Sequence, residues 1–296
     1  MKPFKRNWKI EPKSGNVATL HFDDISEGWE QLVMLSSDRH HDNSHCNRKL
    51  EKTHLDLARK HDAPILDFGD LFCVMQGPGD KRQSKGALLA EHSRDDYFNA
   101  IIEETCKDYA PYADLFAMIG EGNHETGVVR RYGINLTKNL VSGLNLGLAE
   151  SQHHHRVVMG GYGGWVVLKF TIQKTVKQSM RLKYFHGAGG DSQVTKGVIE
   201  TSRQAAYLPD ADIVVNGHNH NSYHLPIARE RLTRQGEVKQ DIVDFVRTAS
   251  YKDEYGTGKG GWHVETGKSP RPNGCAWLRL FYQDGVIRRQ IILDNI

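Results

Sequence analysis

The sequence predicts an α/β fold, and two observations support that class. Short apolar runs of strand length alternate with helical apolar patterns in the first half of the chain, as in domains that cover a sheet with helices. The 296 residues are 38% hydrophobic and 25% charged, which is typical of a globular protein. Because the sequence contains no internal repeat and no long low-complexity segment, we expect a single domain over residues 1–296.

Apolar runs bounded by turn residues identify the strands. Eight runs have the expected length, at residues 17–22, 32–35, 65–68, 115–119, 156–159, 165–172, 182–185 and 213–215. From residue 156 onward strands dominate. The first half is therefore expected to form the alternating part of the sheet, and the second half to add further strands.

Apolar residues three and four positions apart identify the helices. Three segments show this spacing, at 46–57, 98–105 and 194–207. Ser93 and Asp96 have the spacing of a capping box and predict the start of the second helix.

A hairpin and two long loops complete the predicted organisation. Residues 275–282 and 286–293 are two strand patterns joined by a short turn that contains glycine. Stretches 76–94 and 252–274 are rich in glycine, proline and charge, and loops of this length are candidates for lids over a binding site. The core of the domain, about residues 31–225, carries the polar motifs described next.

Composition excludes some classes of partner and compartment. Lys and Arg number 39 against 36 Asp and Glu, a net charge of +3, which is too small for binding of nucleic acid by bulk charge. The sequence has neither a signal-like apolar segment nor an apolar stretch long enough to cross a membrane. Its four cysteines lie far apart, which favours a reducing compartment. We expect a cytoplasmic protein without a membrane partner, its oligomeric state being open.

Polar residues follow five of the predicted strands at the point where each strand ends. In chain order they are Asp38 and His40, Asp70, Asn123 and His124, His186, and His218 and His220. If these strands share a sheet, their carboxyl ends bring the side chains to one rim. Two aspartates so close together would repel one another, whereas divalent cations offset both charges and accept imidazole and amide ligands. The pattern therefore predicts a metal centre.

The same fragments resemble the calcineurin-like metallophosphoesterase superfamily, including its uncharacterised phage and bacterial members. The matching motifs are Asp38-x-His40, Gly69-Asp70, Gly122-Asn123-His124-Glu125, His186 and Gly217-His218-x-His220. The resemblance implies a four-layer α/β/β/α sandwich with two central mixed sheets. It also implies a dinuclear metal centre on the loops, and an intracellular protein for which a phage origin is open.

Carried over residue by residue, the resemblance implies two divalent metal ions. The ligands of one are Asp38, His40 and His220. The ligands of the other are Asn123, His186 and His218, and Asp70 bridges the two ions. This ligand chemistry suits several metals: manganese is expected, with iron, zinc, nickel and cobalt as alternatives.

The resemblance further implies that His124 lies beside the leaving-group oxygen and acts as general acid. Glu125 would then serve the loop more than the metals. An aspartate near the first motif usually orients the acid, and both Asp42 and Asp67 are candidates. His41 is an additional neighbour without a family role.

The implied reaction is hydrolysis of a phosphate ester by a hydroxide that the two metals activate. The segment that follows Gly69-Asp70 departs from the Gly-Asp-x-Val-Asp-Arg-Gly motif of the family's protein phosphatases, which disfavours a protein phosphatase. We expect a phosphodiesterase acting on nucleic acid or nucleotides. The alternatives are a phosphomonoesterase and a non-catalytic metal-binding scaffold on the same fold. The candidate phosphate-binding residues are Lys81, Arg82, Arg94, Arg130 and Arg131.

Overall fold

The computed structural model describes residues 6–74, 87–148, 156–190, 192, 194–256, 258 and 260–296. Within them it contains thirteen strands and six α-helices. The strands are β1 (Trp8–Ser14), β2 (Val17–Ile25), β3 (Glu30–Ser36), β4 (Ile65–Asp67), β5 (Phe116–Ile119), β6 (Val158–Met159), β7 (Gly163–Ile172), β8 (Val176–Phe185), β9 (Ile213–Asn216), β10 (Tyr223–Leu232), β11 (Val238–Arg247), β12 (Gly274–Gln283) and β13 (Val286–Asn295). The helices are α1 (Arg48–Lys60), α2 (Tyr97–Tyr109), α3 (Asn123–Tyr132), α4 (Leu136–Gly147), α5 (Val198–Tyr207) and α6 (Trp262–Glu265).

The strands form two mixed sheets. The order is β1-β2-β7-β8-β9-β11-β10 in the seven-stranded sheet and β13-β12-β3-β4-β5-β6 in the six-stranded sheet. Strands β3, β4 and β5 run parallel, and so do β8 and β9. The polar motifs follow the carboxyl ends of these two parallel groups.

A common apolar core joins the two sheets. Leu20 on β2 and Val33 on β3 belong to one buried cluster, which also contains Leu55 of α1 and Leu140 of α4. The inner face of each sheet therefore packs toward the other, and the helices of the first half extend the same core. This burial removes apolar surface from water, the main favourable contribution to folding.

Helix α5 covers the opposite face of the seven-stranded sheet. On β9, Val215 belongs to the common core, whereas Val214 belongs to a second buried cluster against which Ala205 of α5 packs. Successive residues of a strand face opposite sides of the sheet, so α5 lies on the outer side. The two mixed sheets between helices confirm the predicted fold class.

All eight predicted strands are present, with changed boundaries. Strand β6 has only two residues, and β8 begins six residues earlier than predicted, at Val176. The predicted hairpin is β12 and β13, joined by Asp284 and Gly285 with φ of 54° and 79°. Strands β1, β10 and β11 and helices α3, α4 and α6 were not predicted.

The predicted capping box at Ser93 is wrong. Helix α2 begins at Tyr97 and Asp96 is its cap residue, without a side-chain cap bond, while Ser93 ends a short 3₁₀ helix at Ala90–His92. Of the predicted lid loop 76–94, residues 76–86 lie outside the described residues. The other, 252–274, contains α6. Among the described helices, we find none with the length and hydrophobicity needed to cross a bilayer.

Candidate metal centre

The predicted ligands converge where loops from both sheets meet. Asp38 and His40 follow β3, and Asp70 follows β4. His186 directly follows β8, and the His218 segment follows β9. A backbone contact joins the two sheets at this point, since the amide of His218 donates to Asp38 Oδ2 at 2.8 Å.

One group of side chains consists of Asp38, His40 and His220. The Nε2 atoms of His40 and His220 are 3.1 Å apart, and His220 Nε2 is 3.5 Å from Asp38 Oδ1. One donor atom from each residue lies within 4.8 Å of the others. This is the set predicted for the first metal.

A second group consists of Asp70, His186 and His218, whose donor atoms also lie within 4.8 Å of one another. His186 Nε2 is 3.0 Å from Asp70 Oδ2, without the geometry of a hydrogen bond. Asn123 opens α3, and the amide of the next residue, His124, donates to Asp70 Oδ1 at 2.9 Å. The structure thus places Asp70 beside the residues predicted for the second metal, and its bridging role stays a prediction.

Backbone carbonyls select the ring tautomers of two histidines. His186 Nδ1 lies 3.0 Å from the carbonyl of Phe68, and His218 Nε2 lies 2.8 Å from the carbonyl of Gly189. A carbonyl only accepts hydrogen bonds, so these nitrogens carry the proton. In the neutral rings the lone pairs are therefore on His186 Nε2 and His218 Nδ1, the arrangement that metal-binding histidines require.

Six of the seven predicted ligands carry a buried polar atom that has no hydrogen-bond partner among the described residues. These atoms are Asp38 Oδ1, His40 Nδ1, Asn123 Oδ1, His186 Nε2, His218 Nδ1 and His220 Nδ1. An unpaired buried polar group costs about 1–3 kcal/mol. Two carboxylates, an amide oxygen and four imidazoles are donors that divalent transition ions accept. The residues present therefore fit a pair of such ions.

Backbone strain is also concentrated here. Twelve described residues other than glycine have positive φ, and five of them are predicted ligands. These five are Asp38, His40, Asp70, His218 and His220. Left-handed backbone at non-glycine residues costs energy and occurs preferentially at functional sites. The local fold thus holds these side chains in positions that an unconstrained loop would avoid.

Burial and charge set the protonation of the centre. Burial lowers the pKa of His40 well below its usual value, and the His124 and His220 rings lower it further. Burial also lowers the pKa of His186, but the adjacent Asp70 outweighs this effect and raises that pKa to about 10. His40 is therefore neutral and His186 protonated near pH 7, so a metal must displace the proton of His186.

Glu125 connects the Asp70 loop to the start of α3. Its carboxylate accepts hydrogen bonds from the amides of Asp70 at 3.1 Å, Phe72 at 2.9 Å and Gly122 at 2.8 Å. At Gly122 a Cβ atom would collide with the Asp70 carboxylate, so only glycine allows this close approach. Glu125 thus serves the loops, as the resemblance implies.

The partner of His124 is a backbone carbonyl. His124 Nδ1 donates to the carbonyl of Cys73, and its Nε2 lies 3.7 Å from Asp70 Oδ2. Asp42 does not bond His124 but holds the segment that carries this carbonyl. It accepts hydrogen bonds from the amides of Cys73 and Val74 and from the Tyr97 hydroxyl. The other candidate, Asp67, accepts from Arg39 at 2.6 Å instead.

Arg39 lies between two predicted ligands in the sequence and is fully buried. Besides Asp67, it donates to Glu51 of α1 at 2.9 Å and to the Ser36 hydroxyl at 2.8 Å. His41 bonds the same Glu51 at 2.8 Å. This ion network lies behind the centre and ties its first loop to β4 and α1. Nothing in the Asp38-x-His40 motif predicts this ion network.

The candidate phosphate-binding residues have mixed outcomes. Lys81 and Arg82 lie outside the described residues. Arg94 pairs with Asp96 at 2.6 Å and Glu103 at 2.9 Å. Arg130 and Arg131 are exposed in the last turn of α3. Their contact with substrate stays a prediction.

His263 was not predicted to belong to the site, yet it lies beside it. Its ring centroid is 5.6 Å from that of His220, and its Nδ1 is 3.2 Å from Glu254. It lines a cavity of about 220 Å³ together with Lys252, Tyr255 and Arg271. The prediction of a lid at 252–274 was the only signal in the sequence that pointed to this region.

Comparison with solved structures finds similar chains, among them the following two. A predicted phosphoesterase from Streptococcus pneumoniae TIGR4 is 12% identical with a TM-score of 0.34, over 90% of each chain. Vacuolar protein sorting 29 from Cryptosporidium parvum is 12% identical with a TM-score of 0.36, over 89% of this chain and 97% of that chain. No protein-family model and no curated protein matches the chain. The function of the protein is therefore inferred from the residues of the centre.

Proposed function

We propose that this protein is a metal-dependent phosphoesterase, and that it hydrolyses phosphodiesters of nucleic acid or nucleotides. The observation that carries the proposal is the set of buried, unpartnered donor atoms on six of the seven predicted ligands. They gather at one rim with a histidine, His124, beside them. Such a donor set has no evident structural purpose, since each unpaired atom destabilises the fold.

Asp38, His40 and His220 would hold one ion, Asn123, His186 and His218 the other, with Asp70 between them. When bound, two such ions supply Lewis-acid stabilisation of the phosphoryl group and a nucleophile at neutral pH. The carbonyls at His186 and His218 fix the orientation of the two rings, so that in the neutral rings the lone pairs lie on His186 Nε2 and His218 Nδ1. The protein thus pre-orients its ligands before a cation arrives.

His124 is proposed as the proton donor. Because its Nδ1 is bonded to the Cys73 carbonyl, Nε2 is the nitrogen that is available to the substrate. The proton moves from Nε2 to the leaving oxygen as the phosphorus–oxygen bond breaks. Such general acid catalysis contributes about 10²- to 10⁴-fold in rate.

Two alternatives remain distinct in their chemistry. A phosphomonoesterase would use the same groups on a substrate with one ester bond. A scaffold would bind metal without turnover, but scaffolds have no use for a proton donor, and His124 is present and oriented. The departure of the Gly69-Asp70 segment from the protein phosphatase motif argues against a protein phosphatase.

Two variants test the proposal on aryl phosphodiesters with Mn²⁺ supplied. Asp70→Asn should lose bound metal and reduce hydrolysis to background. His124→Ala should keep its metal and lose about 10²- to 10⁴-fold on poor leaving groups, with a smaller loss on activated ones. The matched control is His21→Ala, which removes a β2 histidine that pairs with Glu11. Its bound metal and its rate of hydrolysis should match those of the wild type. Unchanged activity of Asp70→Asn would refute the metal mechanism, and equal losses for both leaving groups would remove the acid role.

A substrate panel separates the alternatives. We expect bis-aryl phosphates, single-stranded DNA or cyclic nucleotides to be hydrolysed faster than mono-aryl phosphates. Faster hydrolysis of the monoester would favour the phosphomonoesterase. Metal binding without hydrolysis of any of them would favour the scaffold.

A further inference from the structure

Cys73 lies at the edge of the centre, three residues after Asp70. Its thiol is fully buried and accepts a hydrogen bond from Asn43 Nδ2 at 3.0 Å. The sulfur, a ring nitrogen of His40 and a ring nitrogen of His124 all lie within 4.8 Å of one another. The centre therefore contains a soft donor that neither predicted ligand set uses.

One of these residues also carries a donor atom without a partner. His40 is 2% exposed, and its Nδ1 has no hydrogen-bond partner among the described residues. The other His40 nitrogen, Nε2, faces His220 at 3.1 Å. The neighbouring Lys252 ammonium is neutralised by Glu254 at 2.5 Å, so its charge does not prevent a cation from binding near Cys73.

Two further clusters in the described part of the chain contain a thiol, and their donors are already engaged. In the cluster of Cys46, both ring nitrogens of His41 bond carboxylates, and Glu51 holds Arg39. In the cluster of Cys275, His54 Nδ1 bonds the Tyr251 hydroxyl at 2.9 Å. Among these three clusters in the described residues, that of Cys73 is distinguished by a buried ring nitrogen without a partner, His40 Nδ1.

We propose that Cys73, His124 and His40 form a third cation site, selective for thiophilic ions such as Zn²⁺. Thiolate and imidazole are the preferred ligands of zinc, whereas Mn²⁺ and Mg²⁺ prefer oxygen. Binding forms a sulfur–zinc bond and releases the thiol proton to solvent, with no change of oxidation state. The site can therefore distinguish zinc from the harder ions that suit the carboxylate-rich part of the centre.

Occupation of this site would inhibit the enzyme, a consequence that rests on the proposed function. The cation takes up a ring nitrogen of His124, which removes the proton donor. It also competes for His40 with the ion predicted between Asp38 and His220. Excess zinc should then stop a manganese-loaded enzyme by acting at Cys73.

Cobalt binding tests the site without reference to activity. Co²⁺ bound to a thiolate gives a sulfur-to-metal charge-transfer band in the near ultraviolet. We expect this band in the Co²⁺-loaded wild-type protein, in Cys46→Ser and in Cys275→Ser, and its loss in Cys73→Ser. X-ray absorption of the zinc form should show a sulfur neighbour at about 2.3 Å.

A second variant guards against misfolding of Cys73→Ser. His124→Ala keeps the thiol but removes one ligand, so its cobalt band should weaken and shift. A wild-type protein without the band, or a band retained in Cys73→Ser, overturns the proposal.

Inhibition is measured as the ratio of activities with and without excess zinc, separately in each variant. The ratio should fall steeply in wild type and in Cys275→Ser, and much less in Cys73→Ser. If no variant hydrolyses any phosphate ester, the proposed function fails, and the cobalt band still decides whether the site exists. Equal zinc inhibition of wild type and Cys73→Ser would refute the inhibitory role.

Discussion

Replacing Arg39 by methionine removes the buried cation behind the metal centre. The guanidinium makes three hydrogen bonds and is fully buried, so its removal takes one positively charged partner from two carboxylates, Asp67 and Glu51. Glu51 keeps His41 and the Tyr109 hydroxyl, whereas Asp67 keeps only the Ser36 hydroxyl and the Gly69 amide. Breaking a buried ion pair costs about 3–5 kcal/mol. Because Glu51 stays paired, we expect a loss near the lower end, about 3 kcal/mol.

Urea unfolding followed by circular dichroism measures this loss, and Arg279→Met is the matched control. Arg279 also makes two hydrogen bonds to one carboxylate, that of Glu30, at 2.8 and 2.7 Å. Those side chains are 35% and 46% exposed, and exposed pairs contribute about 0–1 kcal/mol. Similar free energies of unfolding for the two variants would refute the reasoning that burial determines the cost.

A double variant tests whether the loss of stability in Arg39→Met arises from the unpaired charge of Asp67. Removing the charge of Asp67 together with Arg39, in Arg39→Met/Asp67→Asn, should cost less than the sum of the two single changes. Burial already raises the pKa of Asp67 with Arg39 in place, so the penalty in Arg39→Met should also shrink at low pH as this carboxylate takes up a proton. Additive losses would show that the two residues do not act as a pair.

Two further predictions concern neighbours of the same loop. Burial lowers the pKa of His41, but Glu51 outweighs it and raises the pKa to about 9. A raised histidine pKa stabilises the fold fully below the unfolded value of about 6.5, and the gain is lost as pH rises through about 9. Between pH 6 and 10, wild type should therefore lose about 3 kcal/mol more than His41→Gln in urea unfolding; parallel curves would contradict this. Asp42→Asn should leave one amide of the 73–74 segment unpaired and displace the carbonyl that orients His124, which lowers kcat for poor leaving groups about tenfold at unchanged metal content. Steady-state kinetics and elemental analysis check this, with the exposed Asp56→Asn as control, and a loss of metal would assign Asp42 to the ligands instead.

The sequence predicted which side chains the structure brings together, because each candidate ligand follows a short apolar run. Asp38, Asp70 and His218 stand at strand ends, and the order of the fragments carries information that no single fragment has. Strand β10 was missed for the opposite reason. In Tyr223–Leu232, at a sheet edge, half-buried and exposed residues alternate over most of the strand. Charged residues therefore interrupt the apolar run by which the predicted strands were recognised.

Contacts made by the backbone or across long separations leave no local pattern. The acceptor for His124 is a main-chain oxygen, which any residue could supply at position 73. Arg39 meets Asp67 and Glu51 only after β3, β4 and α1 have packed. His263 reaches His220 from the short helix α6, whose segment shows no helical periodicity in the sequence. Such features follow from tertiary structure, and only coordinates reveal them.

The pairing of β3 has a consequence for the synthesis of the chain. Residues 30–35 pair on one side with residues 276–281, which the ribosome makes hundreds of residues later. Until β12 arrives, the strand that precedes the Asp38 loop, with its apolar run at residues 32–35, has an open edge, and open edges recruit strands of other chains. Pairings this distant also form slowly. The yield of folded protein in a cell should therefore depend on how well chaperones shield this edge during translation.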